Sequence, residues 1–248
     1  MSCRMAGRFS RACFEGGMTV RQTKAQKAVK QRFCEAAKRL EALYPGAECA
    51  LEWRTDAPCA ADDGWRLLIM GRLSAQCTDA RVNIVCRELF AAYPSAQAIA
   101  NAPIEELERL VHSCGFYRAK AQNIKDCCRM LVEDFDGRVP ADREVLLTFP
   151  GVGRKIANLL LGDLYGIPGI VADTHLICIG GRLGAYPTTL KDPHKVEKIL
   201  DTLIDPASQS DFCHRAVQFG RDYCTARSPH CDACPLADIC PYDKGKKS

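Results

Sequence analysis

Long apolar runs are missing from this chain. Stretches such as Leu67-Leu68-Ile69-Met70 end after a few residues, whereas a membrane span needs about 20. An integral membrane protein is therefore excluded. A strong charge of one sign is missing too: 34 Lys and Arg against 30 Asp and Glu leave +4. That balance permits a nucleic-acid partner without establishing one. Strand-like alternation is scarce, no internal repeat is visible, and no apolar secretory segment precedes the cysteines. With 47% hydrophobic and 26% charged residues in 248, the composition excludes a wholly disordered or fibrous chain and fits one or two globular domains.

Cysteine, by contrast, is abundant, with 16 residues. A cytosolic chain keeps its thiols reduced, so metal ligation is a better expectation than a disulfide framework. The expected location is cytoplasmic. Residues 1–17 carry Arg4, Arg8 and Arg11 against one acid, Glu15. They read as a disordered extension ending near Met18, with a weaker likeness to a transit peptide.

The remainder reads as consecutive helices. Lysines and arginines interleave with Ala28, Val29, Phe33 and Leu40 from Val20 to Tyr44, and Pro45-Gly46 stops that helix. Residues 54–64 read as a linker. Helices are then expected over Trp65–Gln76, Asp79–Tyr93 (with Asp79 as N-cap), Ile104–Cys114 and Lys120–Phe135. Asp142–Phe149, Arg154–Tyr165, Thr174–Leu183, His194–Ile204 and Phe212–Tyr223 complete the set, with a Lys-rich tail at 244–247.

The last four cysteines, Cys224, Cys231, Cys234 and Cys240, are spaced C-x6-C-x2-C-x5-C. Four thiolates in so short a loop can wrap an iron–sulfur cluster or a tetrahedral zinc ion. Zinc sites usually pair cysteines in two close knuckles; with only one close pair here, spacing favours a [4Fe–4S] cluster.

Phe149-Pro150-Gly151-Val152-Gly153-Arg154-Lys155 places a Gly-x-Gly turn between two helices. Glycines let the backbone bend sharply and approach a ligand, and the free N–H groups of the second helix suit a phosphate. Such a hairpin suits a DNA backbone with no sequence specificity implied, although a Gly-x-Gly turn by itself is more often a plain connector. Lys155 falls in the first turn of the second helix, whose positive end disfavours an ammonium. It reads equally as a candidate amine nucleophile and as a phosphate-contacting lysine. Asp173, 18 residues later, can N-cap its helix and also bring a carboxylate toward the lysine.

Five pieces in order carry a resemblance. They are Leu73-Ser74-Ala75-Gln76-Cys77-Thr78-Asp79, Cys114-Gly115-Phe116-Tyr117-Arg118-Ala119-Lys120-Ala121, the Phe149–Lys155 hairpin, Ala172-Asp173-Thr174-His175, and the four-cysteine loop. Over roughly residues 60–242 the chain resembles the endonuclease III family of the helix–hairpin–helix DNA glycosylases. The resemblance implies an all-α fold of two domains. A six-helix barrel carrying the helix–hairpin–helix would span 57–167, and an iron–sulfur cluster domain would be built from 19–56 and 168–248.

It also implies a bifunctional glycosylase and apurinic/apyrimidinic lyase that removes oxidised pyrimidines from duplex DNA, acting as a monomer in a bacterial cytoplasm. The target nucleotide would leave the stack. Lys155 matches the nucleophile that forms a Schiff base, and Asp173 the catalytic carboxylate. Gln76 matches a residue that fills the gap left by the flipped nucleotide. Phe116 matches an intercalating wedge, where the plainer reading is a core aromatic. Asp79 and His175 match positions lining the site. The amides of Gly151 and Gly153 would hold a phosphate, with electrostatic help from Arg154 and Arg227. Cys224, Cys231, Cys234 and Cys240 would hold the [4Fe–4S] cluster.

Four positions depart from the family pattern: Phe149, Ile156 and Ala172, which read as packing changes, and Cys178, where an arginine is usual. Three rival readings fit the residues less well. A mismatch adenine glycosylase lacks a lysine at the hairpin, a DNA-binding module without chemistry sits badly with paired Lys155 and Asp173, and a zinc scaffold would contain zinc and no iron.

Overall fold

The computed structural model describes residues 23–55 and 62–242. All regular structure among these residues is helical, and no described helix is long and apolar enough to cross a membrane. The expectations for residues 1–18, the 244–247 tail and most of the 54–64 linker lie outside the described residues.

Helix α1 (Lys24–Leu43) opens with a capping box. Thr23 Oγ1 accepts from Gln26 N at 3.2 Å, and Thr23 N donates to Gln26 Oε1 at 2.9 Å. Its buried residues Phe33, Ala36 and Leu40 follow a helical stripe. They pack on α11 (Gln209–Asp222), with the Phe33 and Phe212 ring centroids 6.4 Å apart.

Helix α2 (Gly64–Leu73) is buried on all sides except at Arg66, the pattern of a helix at the centre of a bundle. It packs against α3 (Asp79–Ala92), α6 (Tyr117–Asp134) and α8 (Arg154–Tyr165). The short α4 (Ala96–Asn101) and α5 (Ile104–Val111) lie on α6, and α7 (Arg143–Leu146) on α8. Each fully buried Leu or Ile here stabilises by about 1.5–3 kcal/mol.

Two apolar cores result. One runs from Leu51 to Leu161 around α2. The other joins Phe33, Ala36, Leu40 and Tyr44 to residues Ile170–Leu236, including α9 (Thr174–Arg182) and α10 (Pro193–Asp201). The N-terminal helix thus crosses over to complete a core made mainly by the C-terminal third. Helix α8 touches both α2 and α11, and near its start Arg154 and Asn158 bond to Glu197 and Ile170 of the second half, so that end too lies where the two cores meet.

Several helix expectations need correction. Asp79 is not the N-cap of α3: Thr78 is, its Oγ1 accepting from Arg81 N at 3.3 Å. Asp79 becomes the first helical residue, and its carboxylate pairs instead with Arg221 on α11. Helix α4 was not foreseen, because six residues are too few to show a period. Ser95 caps it, accepting from Ala98 N at 3.1 Å. Helix α2 stops at Leu73, three residues earlier than expected, and the chain leaves it through Gln76 in a left-handed conformation (φ 55°).

Candidate active site

The hairpin is built by local chemistry. Asp142 Oδ1 caps α7, accepting from Glu144 N at 2.8 Å and Val145 N at 3.1 Å. The chain turns through Gly151, whose φ of 70° disfavours any L side chain. A Cβ there would also strike the Arg72 guanidinium. Arg72 is buried, its Nε has no hydrogen-bond partner, and burial lowers its pKa. A cation therefore lies directly beneath the turn. Gly153 starts α8 with no side-chain cap, leaving the first amides free for an anion.

Lys155 is the second residue of α8, is exposed, and forms no hydrogen bond or ion pair with a described side chain. Asp173 caps α9, Oδ1 accepting from Leu176 N at 2.7 Å. One turn beyond Lys155, Asn158 Nδ2 donates to Ile170 O at 2.8 Å and to Glu197 Oε1 at 3.1 Å. Gly169 lies so close to Asn158 that a Cβ would come within 3.1 Å of it. These contacts hold the start of α8 beside the segment that ends in Asp173.

Arg154 is otherwise engaged. Its Nε and Nη2 form a two-point pair with Glu197 at 2.9 and 2.6 Å. Burial would raise the Glu197 pKa, but the hydrogen bonds from Arg154 and Asn158 outweigh it and hold the carboxyl below its usual range. Arg154 thus braces α8 on α10.

Asp79 and His175 converge on the end of α11. Asp79 pairs with Arg221, and the His175 ring lies so close to Gly220 that a Cβ there would strike it. Residues from both cores therefore meet at one helix end.

Gln76 and Phe116 are both exposed and both left-handed, at φ 55° and 47°. Phe116 is 73% exposed, which rules out the core-aromatic reading. Their loops share an anchor that the sequence reading gave no role. Lys120, 4% exposed, donates through Nζ to Leu73 O at 2.9 Å and Cys114 O at 2.7 Å. Burial lowers its pKa. The signal was present: Lys120 lies on the face of α6 that buries Ala121, Ile124, Cys127 and Leu131.

The four loop cysteines line one small cavity of about 30 Å³ together with Arg182, Phe219 and Tyr242. Burial, as the largest influence, pushes the Cys224 thiol up to about 11 against the lowering effect of Arg182. A bare thiol is therefore stable there, and a cationic centre is needed to make it a ligand. Four cysteine thiols around one small cavity are the donor set that an iron–sulfur cluster takes.

Arg182 fixes the loop, donating to Cys224 O and Sγ at 3.2 Å, Thr225 O at 2.8 Å and Ala226 O at 2.9 Å. Arg227 follows, exposed. On the far side Arg39 of α1 grips Asp238 at 2.5 and 2.9 Å and Pro235 O at 3.1 Å. Cys178 is partly exposed on α9, one turn before Arg182.

Comparison with known proteins agrees with this arrangement. Residues 69–206 match the family model described as HhH-GPD superfamily base excision DNA repair protein. Residues 224–240 match the iron–sulfur binding domain of endonuclease III. The chain is 45% identical over 213 residues to endonuclease III of Synechocystis sp., covering 86% of this chain and 93% of that one. It is 36% identical over 178 residues to endonuclease III of Escherichia coli, covering 72% and 83%. Among solved structures, a non-covalent endonuclease III–DNA complex superposes with a TM-score of 0.77 at 39% identity, covering 86% of this chain and 95% of that one. A trapped endonuclease III–DNA covalent intermediate gives the same score and identity, covering 86% and 96%.

Proposed function

The chain belongs to the endonuclease III family of helix–hairpin–helix base-excision repair proteins, and from that premise we propose that Lys155 and Asp173 carry its chemistry. It is a DNA glycosylase and apurinic/apyrimidinic lyase with a [4Fe–4S] cluster. The substrate is duplex DNA bearing an oxidised pyrimidine or an abasic site. The observation that carries the assignment is the unpaired Lys155 amine at an uncapped helix start, beside a second helix start that presents Asp173.

The hairpin amides at Gly151 and Gly153 hold a backbone phosphate, and the buried Arg72 cation beneath the turn strengthens that hold. Phe116 enters the stack and Gln76 fills the gap left by the flipped nucleotide. Lys155 Nζ attacks C1′ of the sugar, and the bond from C1′ to the base breaks. Loss of a proton from nitrogen and opening of the sugar ring give an imine. Removal of a C2′ proton then expels the 3′ phosphate by β-elimination. Asp173 Oδ1 is engaged by Leu176 N, so Oδ2 is the oxygen that steadies positive charge on the sugar and moves protons.

Cys224, Cys231, Cys234 and Cys240 hold the cluster, which supplies a rigid, redox-capable centre. Arg182 and Arg39 then keep the loop, and Arg227 on it, in place against DNA. Asp79 and His175 line the groove where the cores meet. The division into a barrel (57–167) and a cluster domain (19–56 with 168–248) belongs to the same proposal; the two apolar cores support it except at Leu51 and Trp53, which pack with the barrel core. The enzyme acts as a monomer in the bacterial cytoplasm.

A panel of duplexes, each with one lesion, tests the substrate assignment. Base release should be fastest from oxidised thymine or cytosine. Equal rates on oxidised purines and undamaged mismatches would contradict it.

A further inference from the structure

We propose that Cys49, Asp163 and His214 form a binding site for one divalent transition-metal ion of the zinc type, separate from both the cluster loop and Lys155. Their ligand atoms (one sulfur, one carboxylate oxygen, one imidazole nitrogen) all lie within 4.8 Å of one another. This is the one such set among the described residues.

The set is buried. The Asp163 side chain is 4% exposed and that of His214 11%. His214 Nε2 lies 2.7 Å from Asp163 Oδ1, which also accepts from Ser210 Oγ at 3.1 Å. Asp163 Oδ2, though buried, has no nitrogen or oxygen donor, and the Cys49 thiol lies against the same carboxylate. An unsatisfied buried carboxylate oxygen costs about 1–3 kcal/mol or more, and native proteins seldom leave one without a ligand, water or ion. Beside this carboxylate lie a sulfur and an imidazole, which are donors a borderline-soft cation prefers.

Charge favours the same occupant. A Cys49 thiolate and the Asp163 carboxylate together balance two positive charges, with the imidazole neutral. Burial, helped by the Asp163 charge, keeps the Cys49 thiol protonated when no cation is present. That argues against a cysteine nucleophile at this spot. Zinc bonds of about 2.0–2.3 Å place ligand atoms roughly 3.3–3.6 Å apart. The three groups need move only by about an ångström, within the reach of side-chain rotation.

The fourth position opens on a cleft of about 370 Å³, also lined by Pro45, Gly46, Arg54 and Arg215. Water or a small anion fits there, the pattern of a three-ligand site. The ligands come from three places: the segment after α1, α8, and α11. The first two pack with the barrel core, while α11 builds the other core. An ion here would fasten the two halves on the side away from the hairpin. Asp163 lies eight residues beyond Lys155 along α8, about 12 Å at 1.5 Å per residue. The ion would therefore act on stability and not on the chemistry at Lys155.

The experiment uses the full holoenzyme with its cluster intact, checked by iron content and visible absorbance. Chelator-washed protein is titrated with zinc chloride and followed by equilibrium dialysis with elemental analysis. Wild type should bind one zinc per chain. Cys49→Ala, Asp163→Asn and His214→Gln should each weaken binding at least about tenfold with iron unchanged. Zinc should raise the wild-type Tm and leave the variants' Tm unmoved. Binding should weaken as pH falls, because the ion displaces the Cys49 proton. No zinc taken up by wild type overturns the proposal. So does zinc binding that survives in Cys49→Ala, the smallest change and the one that keeps the Asp163–His214 contact.

Discussion

The buried Lys120 ammonium donates to the carbonyl of Leu73 at 2.9 Å. The same nitrogen donates to Cys114 O at 2.7 Å. One side chain of α6 thereby ties together the loops that carry Gln76 and Phe116, three and two residues beyond those carbonyls. Lys120 is thus a positioning residue. Lys120→Met leaves two buried carbonyls unpaired, at about 1–3 kcal/mol each, less the cost of burying the charge that is removed. Single-turnover base release should fall at least about tenfold, whereas cleavage of a ready-made abasic site should fall less. Equal losses in both steps would make Lys120 merely structural.

Phe116 presents its ring to solvent from a left-handed residue. Folding does not need that ring, so Phe116→Ala should change stability by no more than about 0.5 kcal/mol. Affinity for damaged duplex should drop by roughly 1–3 kcal/mol, the worth of one base-stacking contact. Thermal melts and binding titrations on the same preparation separate the two effects. A large loss of stability with unchanged binding would contradict the wedge assignment.

Glu197 predicts the acid limit of the hairpin's support. Its pKa in the fold is lowered, net of burial, by Arg154 and Asn158. A carboxyl with a depressed folded pKa contributes stability that is present above its unfolded value, near 4.3, and lost as pH falls through the folded value. Wild-type stability should therefore decline below about pH 4.3, and part of that slope should vanish in Glu197→Gln. At neutral pH that variant should lose about 1–3 kcal/mol, because Arg154 keeps only a neutral partner. Denaturant melts between pH 3 and 7, taken roughly at unit steps, would show it. Identical slopes for both proteins would remove Glu197 from the account.

Much of this was legible in the chain. The Gly-x-Gly hairpin, the uncapped start of α8 and the Asp173 cap are local features, written in neighbouring residues. The cysteine spacing showed a shared ligand without any fold. Long-range partners were not legible. Nothing in Arg154 announces Glu197, 43 positions away, so its bracing of α8 on α10 could not be read from the chain. Arg72 is similar: its place beneath Gly151 follows from the packing of α2 on α8, not from its neighbours. Asp79 was read as a cap because aspartate suits that role; Thr78, one residue earlier, took the role and freed Asp79 for Arg221. Helix α4 escaped because its turn-forming flanks, Pro94 and Pro103, hid so short an element.

Lys155 is the centre of the account, and borohydride trapping tests it most directly. Wild type and Lys155→Ala would each be incubated with a duplex containing one oxidised thymine, then reduced. Wild type should give a covalent protein–DNA adduct and Lys155→Ala none, while both proteins retain their iron and bind DNA. An adduct of equal yield with Lys155→Ala would place the imine on another amine and contradict the mechanism.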